Sequence, residues 1–242
     1  MVPLIVLTAA GCRGTVRDHR VAGAQRQTCA MGSYRMSGSS QVAYAAIVRS
    51  HAEAARRPGG RVFARFGRRN LNGVPMIFGV LGERVNGSCG PTWYRVKLPM
   101  RPNGVTGWVP ASEVSVAAVH TRIVVDVSAR RLTLYRDGRP VLSTRVAVGA
   151  PATPTPVGRF YVNQRLRPTD PNGAYGPDAI GVSAFSNVLT GWTEGGPIGI
   201  HGTDEPWSIG HDVSNGCIRV SNPTITRLFA QTLSGTPVII HP

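Results

Sequence analysis

Glycine and proline are what most limit the folds open to this chain. Its 242 residues include 29 Gly and 19 Pro, spread along the whole length. A proline removes a backbone donor and a glycine weakens a helix interior. Long helices are therefore excluded, and short strands joined by tight turns are predicted. Hydrophobic residues make up 42% of the chain, enough for a core and too many for wholesale disorder. No apolar run reaches the roughly 18 residues of a membrane helix, which excludes a multi-span helical membrane protein.

The charge is basic and uneven. Twenty-six Arg and one Lys stand against 12 acids, and the net charge is +15. Residues 1–115 carry +12 and residues 116–242 carry +3. A basic half raises nucleic acid as a partner. No zinc-finger spacing, helix-turn-helix pattern or RNA-reading aromatic strand accompanies it, so no nucleic-acid partner is expected. An anionic cell wall suits the same charge. Cys12, Cys29, Cys89 and Cys217 form no Cys-x-x-Cys pair, and no structural zinc site is expected.

Residues 1–10 (MVPLIVLTAA), followed by Gly11-Cys12, read as the end of a secretory signal. Ala9-Ala10-Gly11-Cys12 resembles a bacterial lipobox, with Ala9 where Leu is usual. Cys12 is then either a lipidation site or incidental to a plain signal cleavage. Export opens the way to a Cys29–Cys89 bridge, which the sequence alone does not establish.

Residues 13–57 read as a Gly/Ser-rich tether and a short Ala-rich helix over 41–57, stopped by Pro58-Gly59-Gly60. Over 58–116 the pattern turns to strands: RVFARF at 61–66, VPMIFGVLGERV at 74–85, TWYRVKL at 92–98 and TGWVP at 106–110. These predict a small barrel. The stretch WYRVKLPMRPNGVTGWVPASEV resembles bacterial SH3-like domains, with Trp93 and Trp108 assigned to its core. Residues 116–120 read as a linker to a second domain, 121–242. There, strands are expected at 122–128, 131–136, 141–149, 158–164 and 236–241. Asp137-Gly138 marks a hairpin turn. Residues 151–156 (PATPTP) form a rigid loop, and 165–179 form a polar loop flanking a cleft. One helix follows Asn222 as N-cap and Pro223 as first residue, with Ile225, Leu228, Phe229 and Leu233 on one face and Gly235 closing it.

The chemistry gathers in residues 198–222, IGIHGTDEPWSIGHDVSNGCIRVSN. A strand-like Ile198-Gly199-Ile200 delivers His201, and Cys217 follows 16 residues later. A thiolate is the nucleophilic form of cysteine. With an ordinary pKa of about 8.5, little is ionised at neutral pH, so a neighbouring base or cation is expected to lower it. His201 can take the thiol proton and return it to a leaving amine. Gly216 lets the backbone approach an acyl group, and amides around Gly216 and Cys217 suit an oxyanion hole. Taken alone, such a pair carries little weight, because a lone Cys in a β domain is usually an inert small hydrophobe.

The segment resembles the catalytic stretch of L,D-transpeptidases with a YkuD-type domain. His201-Gly202-Thr203, a spacer, and Ser214-Asn215-Gly216-Cys217-Ile218-Arg219 match in order and spacing. Pro154-Thr155-Pro156-Val157-Gly158-Arg159-Phe160 and the opening strand pair, with Asp126 and Leu132 to Tyr135, extend the likeness over 121–242. Asn215 departs from the pattern, since many members have His there.

The resemblance implies a mainly-β chain. It consists of a small SH3-like barrel, then a YkuD-type β-sandwich catalytic domain with one short helix near its C-terminus. It implies peptidoglycan stem peptides as substrates, with 3→3 cross-links made through a thioester on Cys217. His201 would be base and then acid, oriented by the Gly202 carbonyl. Ser214 and Arg219 would shape the pocket, Arg219 either meeting a substrate carboxylate or pairing with Asp212 or another acid. Asn215, Thr203 and Trp207 would contact substrate, and Trp192 and Trp207 would either wall the cleft or pack in the core. His211 reads as a solvated loop residue. Carbapenem-type inhibitors would acylate Cys217, and neither cofactor nor metal is implied. An L,D-carboxypeptidase of the same fold and an idle, wall-binding protein are the rival readings. The implied location is the cell envelope, with membrane contact only through an anchor at Cys12.

Overall fold

A computed structural model describes residues 28–191 and 196–242. The signal segment with Cys12, the first part of the tether and Trp192 lie outside these residues. The first sheet is antiparallel and has eight strands. They are β1 (Tyr34–Met36), β2 (Ala43–Val48), β3 (His51–Ala55), β4 (Val62–Gly67), β5 (Ile77–Val85), β6 (Pro91–Lys97), β7 (Thr106–Pro110) and β8 (Val114–Val119). The order is β4-β3-β7-β6-β5-β2-β8, with β1 added on β5. This sheet is wider than the barrel expected over 58–116, because β1, β2 and β3 precede that range.

Several expectations for this half are overturned. The Ala-rich stretch 41–57 is two strands rather than a helix. Its alternation decides the matter: Ala46, Val48, Ala52 and Ala54 all face the core, and pairing with neighbouring strands overrides alanine's helix propensity. The same alternation turns Tyr94, Val96 and Val109 inward and leaves Trp93 and Trp108 half-buried on the other side. Trp108 meets Tyr34 edge to face, with ring centroids 5.7 Å apart. Residues 28–40 are not a free tether. Tyr34–Met36 pair with Gly82–Arg84, and a Cys29–Cys89 disulfide ties the segment to the turn after β5. No linker occupies 116–120 either. β8 runs through it, paired residue for residue with β2, and only His120 separates it from the next strand.

The second half contains β9 (Thr121–Asp126), β10 (Arg131–Arg136), β11 (Arg139–Arg145), β12 (Val148–Gly149), β13 (Gly158–Leu166), β14 (Ala179–Phe185), β15 (Pro197–His201), β16 (Asp212–Ser214), β17 (Ile218–Arg219), α1 (Asn222–Gln231) and β18 (Pro237–His241). The chain is thus mainly β, with one α-helix among the described residues. The main sheet has the order β11-β10-β9-β18-β13-β14-β15-β17, and β12 and β16 form a separate parallel pair. β13 serves two partners in succession. Gly158–Tyr161 pair with β18, and Val162–Leu166 pair with β14. The second half folds over its own core, which includes Ile123, Leu134, Val162, Ile180, Ile200 and Ile218.

Helix α1 places Ile225 and Leu228 in that core, with Phe229 packed at its edge. Leu233 lies past the helix end and is 53% exposed, contrary to the expected apolar face. The N-cap is Ser221 rather than Asn222, because the Asn222 carboxamide is used elsewhere, as described below.

The two sheets meet at Tyr161. Its side chain is fully buried and its hydroxyl donates to Ile77 O at 3.0 Å. Gly79 is what makes room, since a Cβ there would stand 3.0 Å from the Tyr161 ring. Replacing Tyr161 by Phe is expected to cost about 1 kcal/mol, the net value of one hydrogen bond. Tyr161→Ala is expected to cost about 3–5 kcal/mol, because it also leaves a cavity. Guanidinium unfolding of the two variants measures both, and equal losses would show that the ring contributes nothing beyond its hydroxyl.

Candidate active site

Strand alternation aims the site. Along β15, Ile198 and Ile200 enter the core, which leaves Gly199 and His201 on the opposite side. β17 runs parallel to β15 with Ile200 opposite Ile218 and His201 opposite Arg219. This register sets Cys217, one residue before Ile218, against the strand that carries His201, with its Sγ 4.0 Å from Pro197 O. His201, Gly199, Cys217 and Asn215 line a cleft of about 830 Å³. Arg167, Pro168 and Tyr175 border it as well, so the polar loop at 165–179 does flank a cleft.

Cys217 sits in a turn held from two sides. Ser214 Oγ donates to Cys217 O at 2.5 Å and accepts from the Gly216 amide at 3.2 Å. Gly216 has φ +103°, and a Cβ there would meet Ile198 at 3.0 Å, so glycine is required on both counts. From the other side, Thr153 Oγ1 donates to Ser214 O at 2.9 Å and Thr155 Oγ1 donates to Gly216 O at 3.0 Å. The Thr155 hydroxyl also accepts from the Gly149 amide at 2.8 Å. The PATPTP loop is therefore a clamp on the Cys217 turn as well as a rigid loop. Its prolines advertise stiffness, but only the fold shows what the threonines between them grip.

His201 is buried, and its Nδ1 pairs with Gly202 O at 2.6 Å. A carbonyl can only accept, so Nδ1 carries the proton and Nε2 keeps its lone pair. Tyr175 packs edge to face on the imidazole at 4.9 Å. Gly202 and Thr203 are pinned in turn by Asn222, whose Oδ1 accepts from the Thr203 amide at 2.8 Å. A Cβ on Gly202 would lie 2.3 Å from that same oxygen.

Burial sets the protonation of the pair. It lowers the His201 pKa from 6.5 to about 4, with the nearby Arg219 charge acting in the same direction and the Gly202 hydrogen bond opposing it. Burial also pushes the Cys217 thiol up, against the Gly199 amide and Arg219, which favour the thiolate. The expected depressed thiol is therefore not what this environment produces. Both shifts favour a neutral thiol and a neutral imidazole near neutral pH.

The remaining sequence candidates divide. Asn215 is exposed and lines the cleft. Arg219 forms an ion pair with Glu205 and is not among the cleft-lining residues. Asp212 is taken by Arg130 in a two-point contact of 2.7 and 2.9 Å. Thr203 is buried, with Oγ1 accepting from the Glu205 amide at 3.0 Å, and acts within its own turn. Trp207 is 63% exposed and lies outside the cleft lining. His211 is exposed. Tyr175, Thr153 and Asn222 were not singled out for the site in the sequence, since their roles depend on contacts between distant segments. Among the described residues, no three His, Cys, Asp or Glu side chains gather as a metal site would require.

A mainly-β domain here places a free thiol and an oriented imidazole in one cleft, a pairing of groups with the chemistry for nucleophilic attack. The family model of the YkuD L,D-transpeptidase catalytic domain matches residues 120–240, and the chain belongs to that family. A Bacillus subtilis protein provisionally named L,D-transpeptidase YkuD is 36% identical over 119 residues, which are 49% of this chain and 65% of that protein. A second B. subtilis protein, provisionally named L,D-transpeptidase YqjB, is 32% identical over 123 residues, covering 49% of this chain and 69% of the relative. The crystal structure of the C442S mutant of Enterococcus faecium L,D-transpeptidase is 29% identical, covers 50% of this chain and 49% of its own, and has a TM-score of 0.40.

The buried imidazole makes stability depend on pH. Between pH 6.5 and about 4 the unfolded chain binds a proton at His201 that the folded chain refuses. Stability is thus complete above the upper value and falls on acidification. The loss by the lower value is expected to be about 3 kcal/mol. Urea unfolding at about pH 7 and about pH 4.5 should show this component in the wild type and not in His201→Gln. An equal pH slope in both proteins would assign the dependence to another group.

Proposed function

We propose that the protein is a peptidoglycan L,D-transpeptidase that joins two stem peptides in a 3→3 cross-link through a thioester on Cys217. The observation that carries this reading is the pairing in one cleft of a free thiol, Cys217, with an imidazole whose Nδ1 is fixed on Gly202 O. The family membership of residues 120–240 supplies the substrate class.

In the first half-reaction, Cys217 Sγ attacks the carbonyl carbon after the diamino-acid residue of a tetrapeptide donor. The thiol proton passes to His201 Nε2 as the carbon–sulfur bond forms. The amide C–N bond then breaks, and the imidazolium gives its proton to the departing amine of D-alanine. In the second half-reaction, the side-chain amine of another stem attacks the thioester and loses its proton to His201. The thiolate leaves, is reprotonated, and the thiol is restored. Deferred ionisation suits this cycle, because the proton moves only when the carbonyl accepts the sulfur. The Gly216 amide is committed to Ser214, so the Cys217 amide is the donor of this turn that we assign to the oxyanion.

Water in place of the second amine would make the protein an L,D-carboxypeptidase, and the products separate the two activities. We place the protein in the cell envelope. The Cys29–Cys89 disulfide fits an oxidising compartment. Arg56, Arg57 and Arg61 around an open hollow on the first sheet fit contact with an anionic wall. Lipidation of Cys12 would add a membrane anchor.

Incubation with disaccharide-tetrapeptide, read by mass spectrometry, should give cross-linked dimer short of one D-alanine. Cys217→Ala should give none and should take up no carbapenem covalently. His201→Gln should slow acylation by about 10²–10⁴-fold, the usual share of general acid–base catalysis. Covalent drug uptake by Cys217→Ala would reject the nucleophile, and tripeptide without dimer would reject the cross-linking step.

A further inference from the structure

The second half of β13 carries a feature that the proposed reaction leaves unused. The register of β13 on β14 slips between Val162 and Gln164, so that Val162 faces Val182 while Gln164 faces Gly181. A bulge of this kind re-aims the side chains beside it. Gln164 lies flat over Gly181: a Cβ on that glycine would stand 2.4 Å from Gln164 Cγ and 2.9 Å from its Nε2. Any other residue at 181 would push the carboxamide away.

The first sheet decides which way that carboxamide points. Asn70 Nδ2 and Asn72 Nδ2 donate to the same Gln164 Oε1, at 2.7 and 3.1 Å. Both belong to the loop between β4 and β5, and Asn70 is itself fixed. Its Oδ1 accepts from the Asn72 amide at 3.0 Å and the Val74 amide at 3.3 Å. With Oε1 occupied twice, Nε2 is the free end, and among the described residues it donates to no group. Gln164 and Asn72 line the same cleft as Cys217 and His201. Among the described lining residues, the one formal charge is that of Arg167, since His201 is neutral. None of these lining residues carries a carboxylate; they offer N–H donors and the Arg167 guanidinium, which is 79% exposed and pairs with Asp178 at 3.5 Å from outside the lining.

We propose that Gln164, oriented by Asn70 and Asn72 of the first sheet, is a specificity-determining residue that receives a carboxylate of the acyl donor. The first sheet is then part of substrate selection as well as a neighbouring module. The inference rests on the transpeptidase reading above and deepens it by naming the substrate group that the cleft selects.

The test uses two tetrapeptide donors that differ in one group: the diamino-acid residue carries a free carboxylate in one and a carboxamide in the other. D-alanine release is followed for wild type, Gln164→Glu and Asn70→Ala/Asn72→Ala. The wild type should prefer the carboxylate donor. Gln164→Glu swaps a donor for an acceptor of the same shape. It should lower kcat/KM for the carboxylate donor by about tenfold or more relative to the carboxamide donor, chiefly through KM. The double Asn variant, in which the carboxamide can turn over, should lose part of the preference. Alkylation of Cys217 by neutral iodoacetamide should keep its wild-type rate in all three proteins, which separates lost selection from a damaged site. A wild type indifferent to the two donors, or a Gln164→Glu variant that changes both equally, overturns the inference while leaving the transpeptidase reading intact. A wild type that releases D-alanine from neither donor overturns that reading, and the inference with it.

Discussion

Where β13 leaves β18 and takes up β14, one strand holds three parts of the molecule in a fixed relation. Its first residues pair with Ile240 to Pro237, and its later ones pair with Val182 to Ala179. The core is closed by this change of partner, because Phe160 and Val162 enter it from either side of the switch. The same few residues reach outward as well. Tyr161 docks on Gly79 of the first sheet, and Gln164 is gripped by that sheet's Asn70 and Asn72. The placement of β14, β15 and the loops around the cleft follows from that strand.

The site shows how a reactive pair can be stored safely. An exposed thiolate would be open to oxidation and alkylation. Here desolvation pushes the thiol's pKa up and the imidazole's down, with Cys217 only partly buried, while the surrounding turn is already in place. Ser214, Thr153 and Thr155 fix the carbonyls on either side of Cys217, and Gly202 fixes the imidazole. What is preorganised is position, and what waits for the substrate is charge. This division suits a reaction in which the developing oxyanion and the departing thiol proton appear together.

The sequence and the structure part company in instructive places. His201, Gly202, Ser214, Gly216 and Cys217 lie within one short stretch, and the likeness of that stretch to a known family, more than the residues alone, singled them out. Arg219 lies in that stretch too, yet its guanidinium turns to Glu205, because a side chain's partner depends on what folds beside it. Asn222 has the chemistry of an N-cap, but the Thr203 amide, 19 residues upstream, takes its oxygen instead. The alanines at 43–55 favour a helix in isolation and become strands because their alternation fits a sheet already supplied with partners. Trp93 and Trp108 show the reverse error: large apolar residues drew the eye, while their neighbours Tyr94 and Val109 made the core.

By itself, the sequence determined that this chain would be built from short strands, since its scattered glycine and proline allow little else. It also determined which residues could perform cysteine chemistry, because nucleophile, base and turn glycine are encoded close together. Tertiary structure alone decided the protonation of that pair, because burial is a property of the assembled core. It alone decided that the threonines of the PATPTP loop, some 60 residues before the nucleophile turn, would clamp it. It alone brought Asn70 and Asn72 to Gln164, more than 90 residues away along the chain. Hydrogen bonds between segments so far apart leave no periodicity or spacing in the sequence, and they exist only once the two sheets have met.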